Sequence, residues 1–290
     1  MRPMITQSSI QSSLSPDPSL HGGLEDNSSA LGDFLQETFA LTKRLFIQLQ
    51  RRPSTLIAGI IQPFMWLLLF GALFTNAPGG LFGEDLNYGQ FLAPGVIVFT
   101  AFSGALDREF GFLNRLLVAP LASRYSIVAA STIYIIALSF MQTGVIVAAS
   151  AFLGAGLPNI GGLGAIALIV LLVVLGVTAL SLGLAFALPG HIELIAVIFV
   201  TNLPLLFAST ALAPLSFMAG WLQVVASINP LTYAIEPIRY LYLHSEWGLG
   251  TLVMDTPWTS ISLWAVILVL LAFDALVLLA IQPLLRRRFA

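Results

Sequence analysis

The chain has 290 residues, 58% of them hydrophobic and only 9% charged, where soluble domains carry about a quarter charged, so a water-soluble fold could not hide its apolar surface. A formal net charge of −2 says little about partners and makes no case for nucleic-acid binding, and the absence of cysteine excludes disulfides, thiolate chemistry and Cys-based metal sites. In a bilayer protein the informative quantity is where the few charges stand.

Residues 1–32 are polar and rich in Ser, Pro and Gly, with Glu25 and Asp26 and no apolar core of a signal peptide, and they read as a disordered cytosolic tail. Plastid transit peptides avoid acids and favour Arg, whereas Arg2 is the only base here before Lys43. Residues 33–54 follow as an amphipathic helix. Asp33 is a plausible N-cap, Phe34, Leu41, Leu45 and Leu49 form one stripe, and Lys43, Arg44, Arg51 and Arg52 occupy polar positions. Too charged to cross, it suits a helix lying on the membrane surface, with an ordinary amphipathic helix packed on protein as the alternative.

A helix crosses the hydrocarbon core with about 20 apolar residues. Six windows of that kind stand at about 55–75, 88–106, 126–153, 163–188, 193–212 and 260–282. Turn chemistry separates them at Asn76-Ala-Pro-Gly-Gly80, Gly154-Ala-Gly-Leu-Pro158 and Pro189-Gly190. With both termini in the cytoplasm, the inner segments hold Arg2, Lys43, Arg44, Arg51, Arg52, Arg108, Arg115, Arg124, Arg286, Arg287 and Arg288, all but one of the 12 basic residues. Arg239 alone falls outside.

Two connections exceed simple turns. Inside, the segment Asp107 to Tyr125 places Leu113, Leu116 and Leu117 at helical spacing behind charges, and Pro120 ends the run, which predicts a short amphipathic helix on the cytoplasmic face. Outside, Ala213 to Trp258 is cut by Pro214, Pro230 and Pro237 into pieces too short to cross. Trp221–Ile228 and Leu231–Leu243 are expected as short re-entrant helices, with Trp221, Tyr233, Tyr240, Tyr242, Trp247 and Trp258 as an interfacial belt.

Little in the chain can do chemistry. The only lysine, Lys43, follows Leu41-Thr42 rather than a glycine-rich loop, so no phosphate loop exists. His21, His191 and His244 are too scattered to share a metal, and no span securely holds a histidine for an intramembrane Ser-His protease. Within the spans the ionisable residues are Glu193 and Asp274. Asp274 is a candidate for a substrate or proton path, against the alternative of an acid hydrogen-bonded to a neighbouring helix. Gln62, Gln142 and Asn202 are candidates for interhelical hydrogen bonding.

The segment Asp107-Arg-Glu-Phe-Gly-Phe-Leu-Asn-Arg-Leu-Leu-Val-Ala-Pro-Leu-Ala-Ser-Arg124 resembles the cytoplasmic signature of ABC type-2 transporter permeases. The branch is the one of daunorubicin-resistance and nodulation-factor export permeases, with cyanobacterial and plastid relatives. Phe91-Leu-Ala-Pro-Gly95, opening the second span, and Asn229-Pro-Leu-Thr-Tyr233 with Arg239 extend the resemblance across the chain after its tail.

The resemblance implies an all-α integral membrane protein, a six-helix bundle with an interfacial helix, a coupling helix and outer re-entrant helices. It would sit in a bacterial inner membrane or a plastid membrane, forming a homodimer or heterodimer of permeases in the lipid bilayer. Such a permease exports a hydrophobic or amphipathic substrate, a drug, lipid or lipid-linked glycan. This chain would be non-enzymatic and hold no cofactor, with ATP and magnesium bound by a separate ABC ATPase subunit. Glu109, Gly111, Leu113, Arg115, Leu116, Pro120 and Arg124 would couple to that ATPase, and Asn229, Pro230, Tyr233 and Arg239 would form the outer gate. One departure stands out: Leu106 abuts Asp107 where the family pattern carries about ten more residues toward a full span of about 20. Two other readings stay open, an ion-coupled secondary transporter and a shortened, non-transporting variant acting as a membrane scaffold.

Overall fold

The computed structural model describes residues 27–51, 53–74, 88–106, 124–188 and 191–289. Their helices are α1 (Asn27–Arg51), α2 (Pro53–Leu73), α3 (Tyr88–Leu106), α4 (Arg124–Ser150), α5 (Ile160–Ala187), α6 (His191–Phe207), α7 (Gly220–Ile228), α8 (Pro230–Leu243) and α9 (Leu263–Phe289). A short hairpin, β1 (Leu252–Asp255) and β2 (Ser260–Ser262), precedes α9. Among the described residues five helices are long and apolar enough to cross a membrane, at Leu56–Leu73, Tyr88–Leu106, Ser126–Ala155, Ile160–Leu184 and Leu263–Pro283.

α3 is the axis of the bundle. Its sequence is apolar on every face, the pattern of a helix surrounded by protein, and 16 of its 19 residues are buried. α2, α4, α5 and α8 pack around it, and α9 closes the far side against α5 and α8. The α5–α9 seam repeats every seven residues on both helices. Gly176 lies against Asp274 and Phe273, and Gly183 against Ile281, so close that a Cβ at either glycine would overlap the partner side chain. Small residues at this spacing bring two parallel helices together where lipid supplies no hydrophobic drive.

The connection from α4 to α5 uses a π-turn at Ala151–Ala155, in which Gly154 (φ 88°) and Gly156 (φ 79°) take left-handed backbone that a side chain would strain. Asn159 then caps α5, its Oδ1 accepting from Gly162 N at 2.6 Å, while its Nδ2 donates to the Ser245 carbonyl.

Several expectations are corrected. Residues 27–32, read as tail, belong to α1. The stripe on α1 faces protein: Thr38, Leu45 and Leu49 are buried, Phe46 meets Tyr134 edge-on at 5.6 Å, and Ser126 Oγ on α4 donates to Glu37 Oε2 at 3.0 Å. α1 is thus packed on protein along this face, with a second row, Leu31, Leu35 and Phe39, exposed on another.

The window 193–212 is not one continuous helix. α6 runs His191–Phe207, its strongly apolar part is Ala196–Phe207, and it lies at the edge of the bundle, touching α3 and α5. Ser260–Ser262, expected to open the last span, is instead strand β2, antiparallel to β1 with a bulge between Leu252 and Met254. The segment leading into the hairpin fixes the start of α9, because Leu263 N donates to Thr251 O at 3.0 Å and Trp264 N to Leu249 O at 2.9 Å, satisfying donors that a helix start otherwise leaves open.

If the glycines set the α5–α9 distance, Gly183→Leu lowers stability by about 1–3 kcal/mol through overpacking, and Ile281→Ala in the same chain recovers part of the loss. Thermal unfolding of detergent-solubilised protein for the two single variants and the double variant measures this coupling; simple additivity would contradict it.

Candidate functional site

The polar groups that converge in this fold meet where α6 ends. Pro204 lies in the last turn of α6, and Ser209 Oγ turns back to bond Leu206 O at 2.6 Å while accepting from Ala211 N at 3.3 Å, so the chain leaves the helix at Phe207. Carbonyls at the end of a helix need donors from elsewhere, more so where no water reaches them. Four come from other elements: Asn229 Nδ2 bonds Leu205 O at 2.7 Å and Ala208 O at 2.6 Å, Arg239 Nη2 bonds Thr210 O at 2.6 Å, and Tyr88 Oη bonds Leu212 O at 3.3 Å.

Asn229 serves two helices at once. Its Oδ1 accepts from Leu231 N at 2.9 Å, making it the N-cap of α8, and Pro230 follows in the first turn, where its missing N–H costs nothing. The side chain is only 5% exposed, so one amide joins the end of α6 to the beginning of α8.

Arg239, two turns further along α8, is buried as well. Its Nε donates to Phe91 O at 3.4 Å, Nη1 pairs with Glu236, and the guanidinium carbon lies 3.8 Å from the centre of the Phe91 ring. Planar stacking and several donors in a fixed fork suit arginine and not lysine. Phe91 opens the Phe91-Leu-Ala-Pro-Gly95 run of α3, whose other residues also have work here. Pro94 has no N–H to donate to the Gln90 carbonyl four residues earlier. Gly95 lies so near the backbone of Ala211 that an added Cβ would stand 2.5 Å from its carbonyl oxygen. Tyr233 packs half-buried against the core, and burial raises its phenol above the ordinary value. The structure thus brings Asn229, Pro230 and Arg239 to one place and Tyr233 beside them, together with Phe91, Gly95, Tyr88 and Thr210.

The remaining site expectations fall elsewhere. Glu109, Gly111, Leu113, Arg115, Leu116 and Pro120 lie outside the described residues, and Arg124 is described as the first backbone position of α4. Asp274 sits on the α5–α9 seam, and its Oδ1 is buried with no hydrogen-bond partner, so the expected bond to a neighbouring helix is not formed by that oxygen. Gln142 is fully buried against Gly104 with neither amide atom bonded, Asn202 Oδ1 is likewise unbonded, and Gln62 is exposed on α2, so none of the three is the interhelical link expected.

A family model described as ABC-2 type transporter matches residues 36–243, which takes in most of α1, the α3 motif, the α6 end and all of α8. The chain belongs to the ABC-2 type transporter family. This permease is similar to a transport permease designated ycf38 in Cyanophora paradoxa, 52% identical over 264 residues, spanning 88% of this chain and 91% of that one. It is also similar to the daunorubicin resistance ABC transporter permease protein DrrB1 of Streptomyces coeruleorubidus, 27% identical over 237 residues, spanning 71% and 76% of the two chains. The multidrug ABC transporter permease YbhR of Escherichia coli is 24% identical over 197 residues, spanning 65% of this chain and 51% of its own length. This is a multi-pass membrane permease, and membership of the family implies association with an ABC ATPase subunit.

Arg239→Gln removes the charge that Glu236 faces together with the donors to Thr210 and Phe91, and should cost about 3 kcal/mol. Arg239→Lys should recover only part of this, since it restores charge without the planar fork. Thermal unfolding in detergent reads both; full rescue by Lys would show that charge alone matters.

Proposed function

We propose that this permease is the membrane half of an ATP-driven exporter for a hydrophobic or amphipathic substrate, a drug, a lipid or a lipid-linked glycan. The observation that carries the reading is the course of α3. Its first turns are clamped to α6 and α8 through Phe91 and Gly95, and it ends at Leu106, next to the segment 107–124 that resembles the family's ATPase-coupling element. A helix of 19 residues is about 28 Å long and rigid, so displacement of one end displaces the other. ATP and magnesium bind on the partner subunit, and its nucleotide cycle supplies the differential free energy that shifts the bundle between two arrangements.

In this reading α6 completes six crossings, with both termini on the cytoplasmic face and α7 and α8 re-entrant from the other side. Two such permeases, identical or different, associate across the bilayer of a bacterial inner membrane or a plastid. The exposed row Leu31, Leu35 and Phe39 lays α1 on the inner surface beside Lys43 and Arg44. Asn229, Pro230, Tyr233 and Arg239 hold the outer gate, and Asp274 offers an acceptor along the substrate path.

Two experiments test the proposal. Detergent-solubilised permease should co-purify an ABC ATPase, and Glu109→Ala and Leu116→Asp should each weaken recovery; no ATPase with the intact chain would move the assignment to a shortened, uncoupled variant, which the direct junction of Leu106 and Asp107 would then explain. Because the chain has no cysteine, single Cys residues report topology without background. Ser245→Cys should react with an impermeant maleimide in intact cells and Arg288→Cys only after permeabilisation, and the reverse pattern would invert the topology.

A further inference from the structure

We infer that the protein holds one acyl chain of a membrane lipid in a cavity between α5 and α9, at the end of the bundle opposite Arg51 and Arg124. The half-open cavity has a volume of about 220 Å³ and is walled by Gly164 and Leu168 of α5, Leu263 and Ile267 of α9, and Trp247 and Leu249 of the connection from α8 to the hairpin. It exists because the two helices touch at Gly176 and Gly183 but stand apart one turn series higher, where the bonds from Leu263 N and Trp264 N hold the start of α9 in place.

Depth decides the occupant. The α5 residues on the wall, Gly164 to Ile169, lie four to nine positions after Ile160, about 6–14 Å below the helix start, and both helices are of membrane-crossing length and composition. Leu168 and Leu249 at the mouth are 43% and 61% exposed, so the cavity faces hydrocarbon, where no water is present to fill it. Every wall side chain except Trp247 is apolar, and the Trp247 indole N–H is already committed to Asn159 Oδ1 at 3.4 Å. Nothing in the cavity waits for a polar headgroup. A lipid tail gains dispersion contacts with the walls of α5, α9 and Trp247 there, while the headgroup stays level with Asn159 and Ser245 at the rim. The site requires no transport activity and stands apart from the clamp on α3.

Trp247 on the wall provides the readout. In phosphatidylcholine vesicles carrying brominated acyl chains, a variant retaining only Trp247 of the five tryptophans should be strongly quenched. Gly164→Leu, at a position where an added Cβ meets nothing within 4 Å, fills the cavity and should remove most of that quenching. Ile267→Phe, filling it from α9, should do the same. A variant retaining only Trp264, which is 53% exposed on α9, should be quenched equally with and without the filling substitutions. Absence of quenching at Trp247 in the unfilled protein would show the cavity closed to lipid. Quenching that survives both filling substitutions would show the ring facing bulk lipid, and either result overturns the site.

Discussion

A backbone that breaks inside a membrane must find a donor for every carbonyl it exposes, and that requirement shapes this permease from the end of α6 outward. The carbonyls of Leu205, Ala208, Thr210 and Leu212 all accept from buried side chains of other elements. In water each such bond is worth about 1 kcal/mol net, but a buried acceptor left alone costs more than the bond yields, so the donors are obligatory rather than additive. Asn229, Arg239 and Tyr88 are therefore the residues that let the chain leave α6 and enter α8 with its carbonyls satisfied.

The same contacts join the short helices to the core. Because Arg239 reaches the carbonyl and ring of Phe91, α8 is tied to the most buried helix of the bundle. Because Gly95 admits the backbone of Ala211 at close range, the tie is rigid rather than a single flexible side chain. On the other side of α3, the glycine seam of α5 and α9 lets those helices behave as one body.

Much of this was legible in the residues. Continuous apolar runs located the helices at 88–106 and around 163–188, since burial in lipid or protein imposes the same composition on every face. Proline positions marked the short helices α7 and α8. The solitary outer arginine flagged Arg239, although two of its partners lie 148 and 29 residues away and no periodicity could name them. What was not legible follows from tertiary contact. The window to 212 looked continuous because Ser209 and Thr210 are compatible with a helix in hydropathy, and only the bonds made by Ser209 and Asn229 show why α6 ends at Phe207. The stripe on α1 was read correctly as a face, but its partner, α4, is a choice made by packing. The hairpin was missed because Leu252 to Ser262 is too short and mixed to carry a clear alternation beside so strong a helix signal.

Hydrogen exchange by mass spectrometry in nanodiscs, comparing the native chain with Asn229→Ala, tests the role of the buried donors most directly. If Asn229 holds the end of α6 to the start of α8, exchange accelerates over residues 205–212 and the first turns of α8 while the α5–α9 seam keeps its protection. Unchanged protection over 205–212, or loss spread evenly through the bundle, would contradict that role.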